Sequence, residues 1–274
     1  MQSMQEAIKK LWKEYGVVAF VEKKTCDVCG DEYSMYERTD REGNKHLMGM
    51  CMTCENKKLR AKFPKTKEEL DNNKFNIWIS NHENIEKSIH ESSFESYKPQ
   101  TDKQREALRL CKGYVSKFNN FSKKHSLVFK GDVGLGKSHL AASILKQLRE
   151  QGYKVMFLTT TDLMNMIKST FNYNSAQTQD DIIKRLESLD LLVLDDVGAE
   201  YVKRDSQGFE TWASEVLFQV INSRQALPTV YTTNYSAGDF SDKYGKQGKR
   251  ILSRMLNSAE IIEFDGMDQR INNF

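Results

Sequence analysis

No stretch of the 274 residues reaches the length of about 18 consecutive apolar positions that a membrane-crossing helix needs. The opening residues, MQSMQEAIKKLWKEYG, hold no continuous apolar run, which excludes a secretory signal of the usual build. Internal repeats and low-complexity tracts are absent, so repeat arrays are excluded as well. Charge of one sign is also scarce. The 41 Lys and Arg stand against 38 Asp and Glu, leaving a net +3, which permits contact with nucleic acid without demanding it. What remains is a globular composition, 39% hydrophobic and 29% charged, with enough chain for one large domain or a medium domain plus a small one. The expected location is the cytoplasm, with no membrane partner.

Four of the five cysteines form two CxxC pairs, Cys26/Cys29 and Cys51/Cys54, on either side of residues 30–50. Without an export signal, such pairs favour metal over disulfides. Their spacing suits a tetrahedral zinc ion held by four thiolates, a closed shell with no position left for catalysis. A segment this short buries little core, so ligation would supply its folding free energy. Free or redox-active thiols are the opposing reading. Ahead of the cysteines, Met4, Ile8, Leu11, Trp12 and Tyr15 recur at helical spacing and Gly16 offers a stop. That helix either presents an apolar docking face or packs on the knuckles. The near balance of charge points to a protein partner for this region. The basic tract ENKKLRAKFPKTK that follows reads as a solvated linker ahead of a DNA contact.

Three regions separate by composition: residues 1–57 with the helix and cysteines, a polar linker at 58–92, with some helix expected and KFNIWIS able to pack, and residues 93–274. In the last region Thr101 and Gln104 have the form of a capping box. They open a helix whose apolar stripe includes Ala107, Leu108, Cys111, Tyr114 and Val115, so Cys111 reads as core. Short apolar segments SLVF, KVMFLT, DLLVLD, PTVYTT and EIIEF alternate with helical patterns. This implies a parallel five-stranded sheet covered by helices on both faces.

Gly131, Gly134, Gly136, Lys137 and Ser138 belong to a G-x-x-x-x-G-K-S loop between a strand and a helix, the context a triphosphate cradle requires. The glycines let backbone N–H groups face phosphates, Lys137 should reach the β- and γ-phosphates, and Ser138 should ligate magnesium. The segment LDLLVLDD ends a strand in Asp195, a magnesium ligand by position, and Asp196, placed to polarise water. Thr232, Thr233 and Asn234 end a further strand, where a polar group would lie beside the γ-phosphate. Arg250 and Arg254 share a helix face, and Arg270 follows the last strand.

The order of these motifs resembles the AAA+ ATPases of the DnaA/DnaC clade, and within it the DnaC/DnaI-type loaders of the replicative helicase. The resemblance runs from about Phe94 to Phe274 in SFESYKPQTDKQREAL, GDVGLGKSHLAASI, LLVLDDVGAE, LPTVYTTN and RILSRM. It also takes in the cysteine-bearing N-terminus, similar to a zinc-binding helicase-interaction domain. It implies ATP and magnesium as cofactors beside zinc, Asn234 as sensor 1 and Arg270 as sensor 2. It further implies Arg254 as an arginine finger, with Arg250 as its understudy, so that the ATP-bound protein is a homo-oligomer. The reduced or absent helical lid of the loader branch is expected here too. Two departures bear on turnover: Asp196 stands where most AAA+ enzymes have glutamate, and Glu200 is a nearby substitute. The clade's extra helical insertion corresponds to residues 159–186, where Lys168, Phe171 and Tyr173 make a basic-aromatic group suited to single-stranded DNA, or an ordinary helix with an exposed aromatic end.

The implied function is ATP-dependent loading of a hexameric replicative helicase onto single-stranded DNA, with hydrolysis driving release. Two other readings stand beside it: an IstB-type regulator of DNA transposition, and a nucleotide-binding adaptor that does not hydrolyse ATP.

Overall fold

Strands and helices follow the hydrophobic pattern closely in the second half of the chain and less so in the first. The computed structural model describes residues 18–40, 43–62, 66–120, 125–173, 175–200 and 212–269. The helix expected over residues 4–15 and Arg270 lie outside these. The described residues fall into two compact units, divided between Phe75 and Asn76.

The first unit contains an antiparallel sheet in the order β1-β2-β3, formed by Val18–Thr25, Glu32–Thr39 and Lys45–Gly49. Its strands carry many charges, β1 and β3 are exposed and β2 is half-buried, and Phe20, Leu47 and Met48 all face solvent. A sheet with so little buried surface holds by pairing and by what its ends are tied to. Helix α1 (Met52–Lys62) follows directly after the second cysteine pair begins.

Residues 58–92, expected as a linker, contain the end of α1, helix α2 (Lys67–His82) and the single turn α3 (Lys87–His90). From Asn76 onward they belong to the second unit, where Trp78 and Ile79 are buried. The Arg185 guanidinium lies 5.2 Å from the Trp78 ring centroid, within cation–π range. The Glu83 carboxylate accepts from Arg149 Nη2 at 2.7 Å and from the Phe157 backbone N–H at 2.7 Å.

The second unit is built on five parallel strands: β4 (Ser126–Lys130), β5 (Val155–Thr159), β6 (Leu191–Asp195), β7 (Thr229–Thr233) and β8 (Ala259–Glu263). Their spatial order is β5-β6-β7-β4-β8. β4 to β7 are buried along almost their whole length, as a parallel sheet covered on both faces must be. The covering helices are α4 (Asp102–Ser116), α5 (Lys137–Glu150), α6 (Thr160–Ser169), α7 (Gln179–Glu187), α8 (Trp212–Ser223), α9 (Ala237–Tyr244) and α10 (Lys246–Leu256). Cys111 is fully buried on α4, in the same core cluster as Ala107, Leu140 and Phe129. This is the AAA+ P-loop arrangement. Beyond β8 the described residues reach Gln269 without a further helix.

The expected capping box is half formed. Thr101 Oγ1 accepts from the Gln104 N–H at 3.2 Å, but the Gln104 side chain turns elsewhere, accepting from Gln100 N at 2.8 Å and donating to Asp265 O at 2.8 Å. With Thr101 Oγ1 also donating to Asp265 Oδ1 at 2.6 Å, the start of α4 anchors the segment that leaves β8.

Arg224, at the end of α8, is fully buried and donates to Leu186 O, Leu189 O, Pro228 O and Thr229 Oγ1 at 2.5, 3.2, 2.6 and 3.1 Å. It ties the exit of α7 to the entry of β7. Removing it takes the donor from Leu189 O and leaves Leu186 O and Pro228 O only the longer backbone bonds from Leu189 N and Leu192 N, at 3.3 and 3.4 Å, and a buried acceptor without a partner costs more than the bond itself contributes. Arg224→Met, which keeps bulk but no donors, should destabilise the second unit by about 3 kcal/mol or more, read as a lower denaturant midpoint in the full chain.

Candidate nucleotide site and metal centre

Because the sheet is parallel, β4, β6 and β7 all end on the same side, and the segments leaving them meet there. The turn after β4 carries the glycine-rich loop. Gly131, Gly134 and Gly136 have φ of +155°, +73° and +83°. A Cβ on Gly131 would sit 2.5 Å from Phe264 O, one on Gly136 2.5 Å from the Tyr97 ring, and one on Gly134 would overlap the Asp268 carboxylate. The loop thus needs glycine both for its backbone and for its neighbours. It leads into the N-terminus of α5, whose first-turn N–H groups and dipole favour an anion.

The loop borders a cavity of about 250 Å³. The cavity is lined by residues 133–139, by Asp196 and Asn234, and by Ser88, Ile89, Ser92 and Gln269. Lys137 is buried and donates through Nζ to Gly131 O at 2.9 Å and Asp132 O at 2.6 Å. Ser138 Oγ donates to Asp195 Oδ1 at 2.9 Å. Asp195 is 2% exposed, and burial, with the charge of Asp196 beside it, pushes its carboxyl up to about 6. Asp196 adopts a left-handed φ of +53°, which turns its side chain from the strand end to the cavity.

A nucleotide fits this arrangement. The donors face the loop, glycine φ values open its N–H groups, and Ser92 Oγ is buried against the cavity without a hydrogen-bond partner among the described residues. Lys137, Ser138 and Asp195 form the set that would hold a magnesium-bound triphosphate. Gly131 and Asp195 lie beneath the lining rather than in it. Ser88, Ile89, Ser92, His139 and Gln269 were not indicated by sequence. They come from the supposed linker, from the first turn of α5 and from the segment after β8, and none carries a motif. The Gln269 N–H donates to Gly134 O at 3.1 Å.

Other sequence-singled residues lie apart. The Glu200 carboxylate is buried, accepting from Tyr244 Oη and, at 3.2 Å, from the Gly198 N–H, and it does not line the cavity. Arg250 and Arg254 are exposed on α10. The Arg250 guanidinium lies 4.2 Å from the Phe218 ring centroid, Arg254 Nη1 donates to Gln225 Oε1 at 3.2 Å, and neither lines the cavity. Lys168 and Phe171 converge on Trp212, with Nζ 5.4 Å and the Phe171 ring 5.8 Å from its centroid, and Tyr173 stands fully exposed. Trp212 was not indicated by sequence because it lies at the start of α8, outside the insertion.

In the first unit the Sγ atoms of Cys26, Cys29, Cys51 and Cys54 lie within 4.8 Å of one another, with Cys26–Cys54 at 3.6 Å and Cys29–Cys51 at 3.4 Å. A tetrahedral ion with metal–sulfur bonds of about 2.3 Å places its ligands about 3.8 Å apart, so the four thiols fit zinc. Gly30, with φ +81°, closes the first knuckle by donating its N–H to Cys26 O at 2.9 Å. The second pair straddles the start of α1. His46 is engaged with Asp40, Nε2 to Oδ2 at 2.9 Å.

Residues 69–273 match the profile of the family described as IstB-like ATP binding protein. Over 164 residues the chain is 32% identical to the replicative helicase loader DnaC of Buchnera aphidicola subsp. Schizaphis graminum, covering 60% of this chain and 62% of that protein. It is 31% identical over 175 residues to the replicative helicase loader DnaC of Escherichia coli K12, covering 62% of this chain and 66% of that protein. The chain thus spans slightly less than two thirds of the length of either loader. The crystal structure of the DnaC helicase loader aligns over 66% of this chain and 100% of its own, at a TM-score of 0.54 and 26% identity.

Two outcomes follow from the site's physics. The folded-state pKa of Asp195 lies above its ordinary value, so the ionised carboxylate costs folding free energy above pH about 6, and that cost fades as acid protonates it. Asp195→Asn should therefore stabilise the nucleotide-free protein at pH 8 by roughly 1–3 kcal/mol, with a smaller gain at pH 5, measured by thermal unfolding at both pH values. In the metal centre, Cys51→Ser or a strong chelator should release zinc and melt the β1–β3 unit, while the unfolding transition of the second unit persists. Retention of the first unit's amide protection after chelation would contradict a structural metal.

Proposed function

Because the chain belongs to the IstB-like ATP binding protein family, we propose that its cavity binds magnesium–ATP and that binding and hydrolysis switch the loading of a hexameric replicative helicase onto single-stranded DNA. The observation that carries the ATP reading is the Ser138–Asp195 contact beside a buried Lys137 in a glycine loop. The loading reading draws on the relatives named replicative helicase loader and on a separate four-cysteine unit, residues 1–57 in the sequence division, that would grip the helicase.

Each residue's part follows from its position. Lys137 exchanges its two loop carbonyls for the β- and γ-phosphate oxygens. Ser138 Oγ and the Asp195 carboxylate hold the cation, whose contribution is to neutralise charge on the phosphates. Asp196 and Asn234, which line the cavity with the loop, polarise and orient the attacking water. The Arg254 guanidinium lies outside its own chain's cavity and serves a neighbour's, with Arg250 in support, so that the site is complete only in a homo-oligomer. Arg270 adjoins Gln269, which lines the cavity, and acts as the second sensor. The Lys168, Phe171, Trp212 and Tyr173 group offers charge and stacking faces to single-stranded DNA.

The family description favours one other reading, a regulator of DNA transposition of the IstB type. A pull-down against the hexameric replicative helicase of the same cell, with and without ATP, separates the two. Helicase binding that responds to ATP and weakens at least tenfold in Lys137→Ala is expected. Arg254→Ala should keep ATP binding but lose phosphate release by about a hundredfold or more. No helicase binding in either state would overturn loading, and assembly on duplex DNA without helicase would favour transposition. Absence of phosphate release from the wild type would favour an adaptor.

A further inference from the structure

β7 lies between the strand that carries the glycine loop and the strand that carries the carboxylates. Its register with β6 pairs Val193 with Val230 and Leu194 with Tyr231, so one step further sets Thr232 beside Asp195. Thr232 is fully buried. Its Oγ1 accepts from the Asp196 N–H at 2.9 Å and donates to Asp195 Oδ1 at 2.5 Å. A hydroxyl has one proton. With the Asp196 N–H as donor on one side, that proton is committed to Asp195. The chain of bonds therefore has a direction, from Asp196 through Thr232 to Asp195.

The same Oδ1 also accepts from Ser138 Oγ. Ser138 is the residue that turns to the cation in the reading above, so Thr232 is the hydroxyl donor that stays with Asp195 when it does. The Asp196 end has a second consequence. Its left-handed backbone is held by the N–H bond to Thr232 Oγ1 and by Thr160 Oγ1 donating to its carbonyl at 2.8 Å. Thr232 O accepts from the Val197 N–H at 2.8 Å as well. One residue thus fixes the side chain of one carboxylate and the backbone of the other. Threonine suits the task, because its β-branch leaves few rotamers and the hydroxyl does not wander.

We propose that Thr232 is a positioning residue for the magnesium–nucleotide complex, holding Asp195 and Asp196 in the cation-ready geometry without touching the nucleotide. This rests on the ATP reading of the cavity. Its signature is selectivity: losing the hydroxyl weakens the gain in nucleotide affinity that magnesium brings, and spares metal-free affinity.

The test measures binding of a fluorescent ATP analogue to the full chain in excess magnesium and in excess chelator, after zinc loading is verified. The ratio of the two affinities should fall about 10- to 100-fold in Thr232→Val, the loss of a hydrogen bond to a charged group, while affinity in chelator stays near wild type. Thr232→Ser should regain most of the ratio. Thr233→Val removes a comparable staple, the Thr233 Oγ1 bond to Val197 O at 2.7 Å, without contacting Asp195. It should lower the melting temperature yet keep the ratio. If Thr232→Val does not fold, Thr232→Cys, similar in bulk with a weak thiol donor, should show the same loss. An unchanged ratio in the hydroxyl-free variant, or an equal fall in Thr232→Ser, would overturn the proposal and leave the ATP reading standing. A wild type that binds no nucleotide would overturn both.

Discussion

Asp195 sits at the end of a strand with almost no access to water, and two hydroxyls from other segments converge on one of its oxygens. Much of the second unit is arranged around that contact. For Ser138 to reach it, the turn after β4 must deliver α5 across the end of β7. For Thr232 to reach it, β7 must be in register with β6. For the carboxylate to remain there at all, charge must be tolerated in a place where burial raises its pKa to about 6. A fold that seeks only stability would not keep a carboxylate there. This one holds a group at a cost that a bound cation would offset.

The strands of the second unit were legible because each is a short apolar run ended by a polar or glycine-rich turn, and the loop glycines, Lys137 and Ser138 were legible because few other arrangements use that spacing. The cysteine quartet was legible for the same reason, and the four Sγ atoms do come together. The β1–β3 sheet was not, since its residues are charged and exposed and give no alternation to read. KFNIWIS could be read as a segment that packs, and Trp78 and Ile79 are buried, but where residues 76–92 pack was not legible, because these two are adjacent rather than spaced along a stripe. The cavity wall from Ser88, Ile89 and Ser92 depends on that packing, so it was hidden too. At the end of β7 the sequence shows three polar residues in a row. Which hydroxyl grips which carboxylate depends on strand order, and strand order is not written in any local pattern.

The two units follow different physics. The second closes over a continuous core that runs from Phe94 through Leu140 and Phe157 to Phe264 and needs no ligand to define it. The first has largely exposed strands and four thiols within 4.8 Å of one another, so a metal held there would supply much of its order. In the proposed loader, ATP would act on the unit that is stable alone, and the partner would be gripped by the unit whose shape a metal sets. Nucleotide state and grip are then separately tunable.

Glu83 and Arg149 do more than pair with each other. β5 is the outer strand of the five-stranded sheet, and its Phe157 N–H and Val155 C=O point outward. The Glu83 carboxylate takes the first, and Arg149 Nη2 donates to the second at 3.3 Å. An outer strand with unpaired groups is a template for another chain. The stretch from Asn76 to Ser92 therefore acts as a selvage on the sheet, finishing an edge that would otherwise ravel into its neighbours. A dissection of the protein that began at residue 93, where motif and composition both suggest a domain start, would keep the whole nucleotide loop and cut this border away.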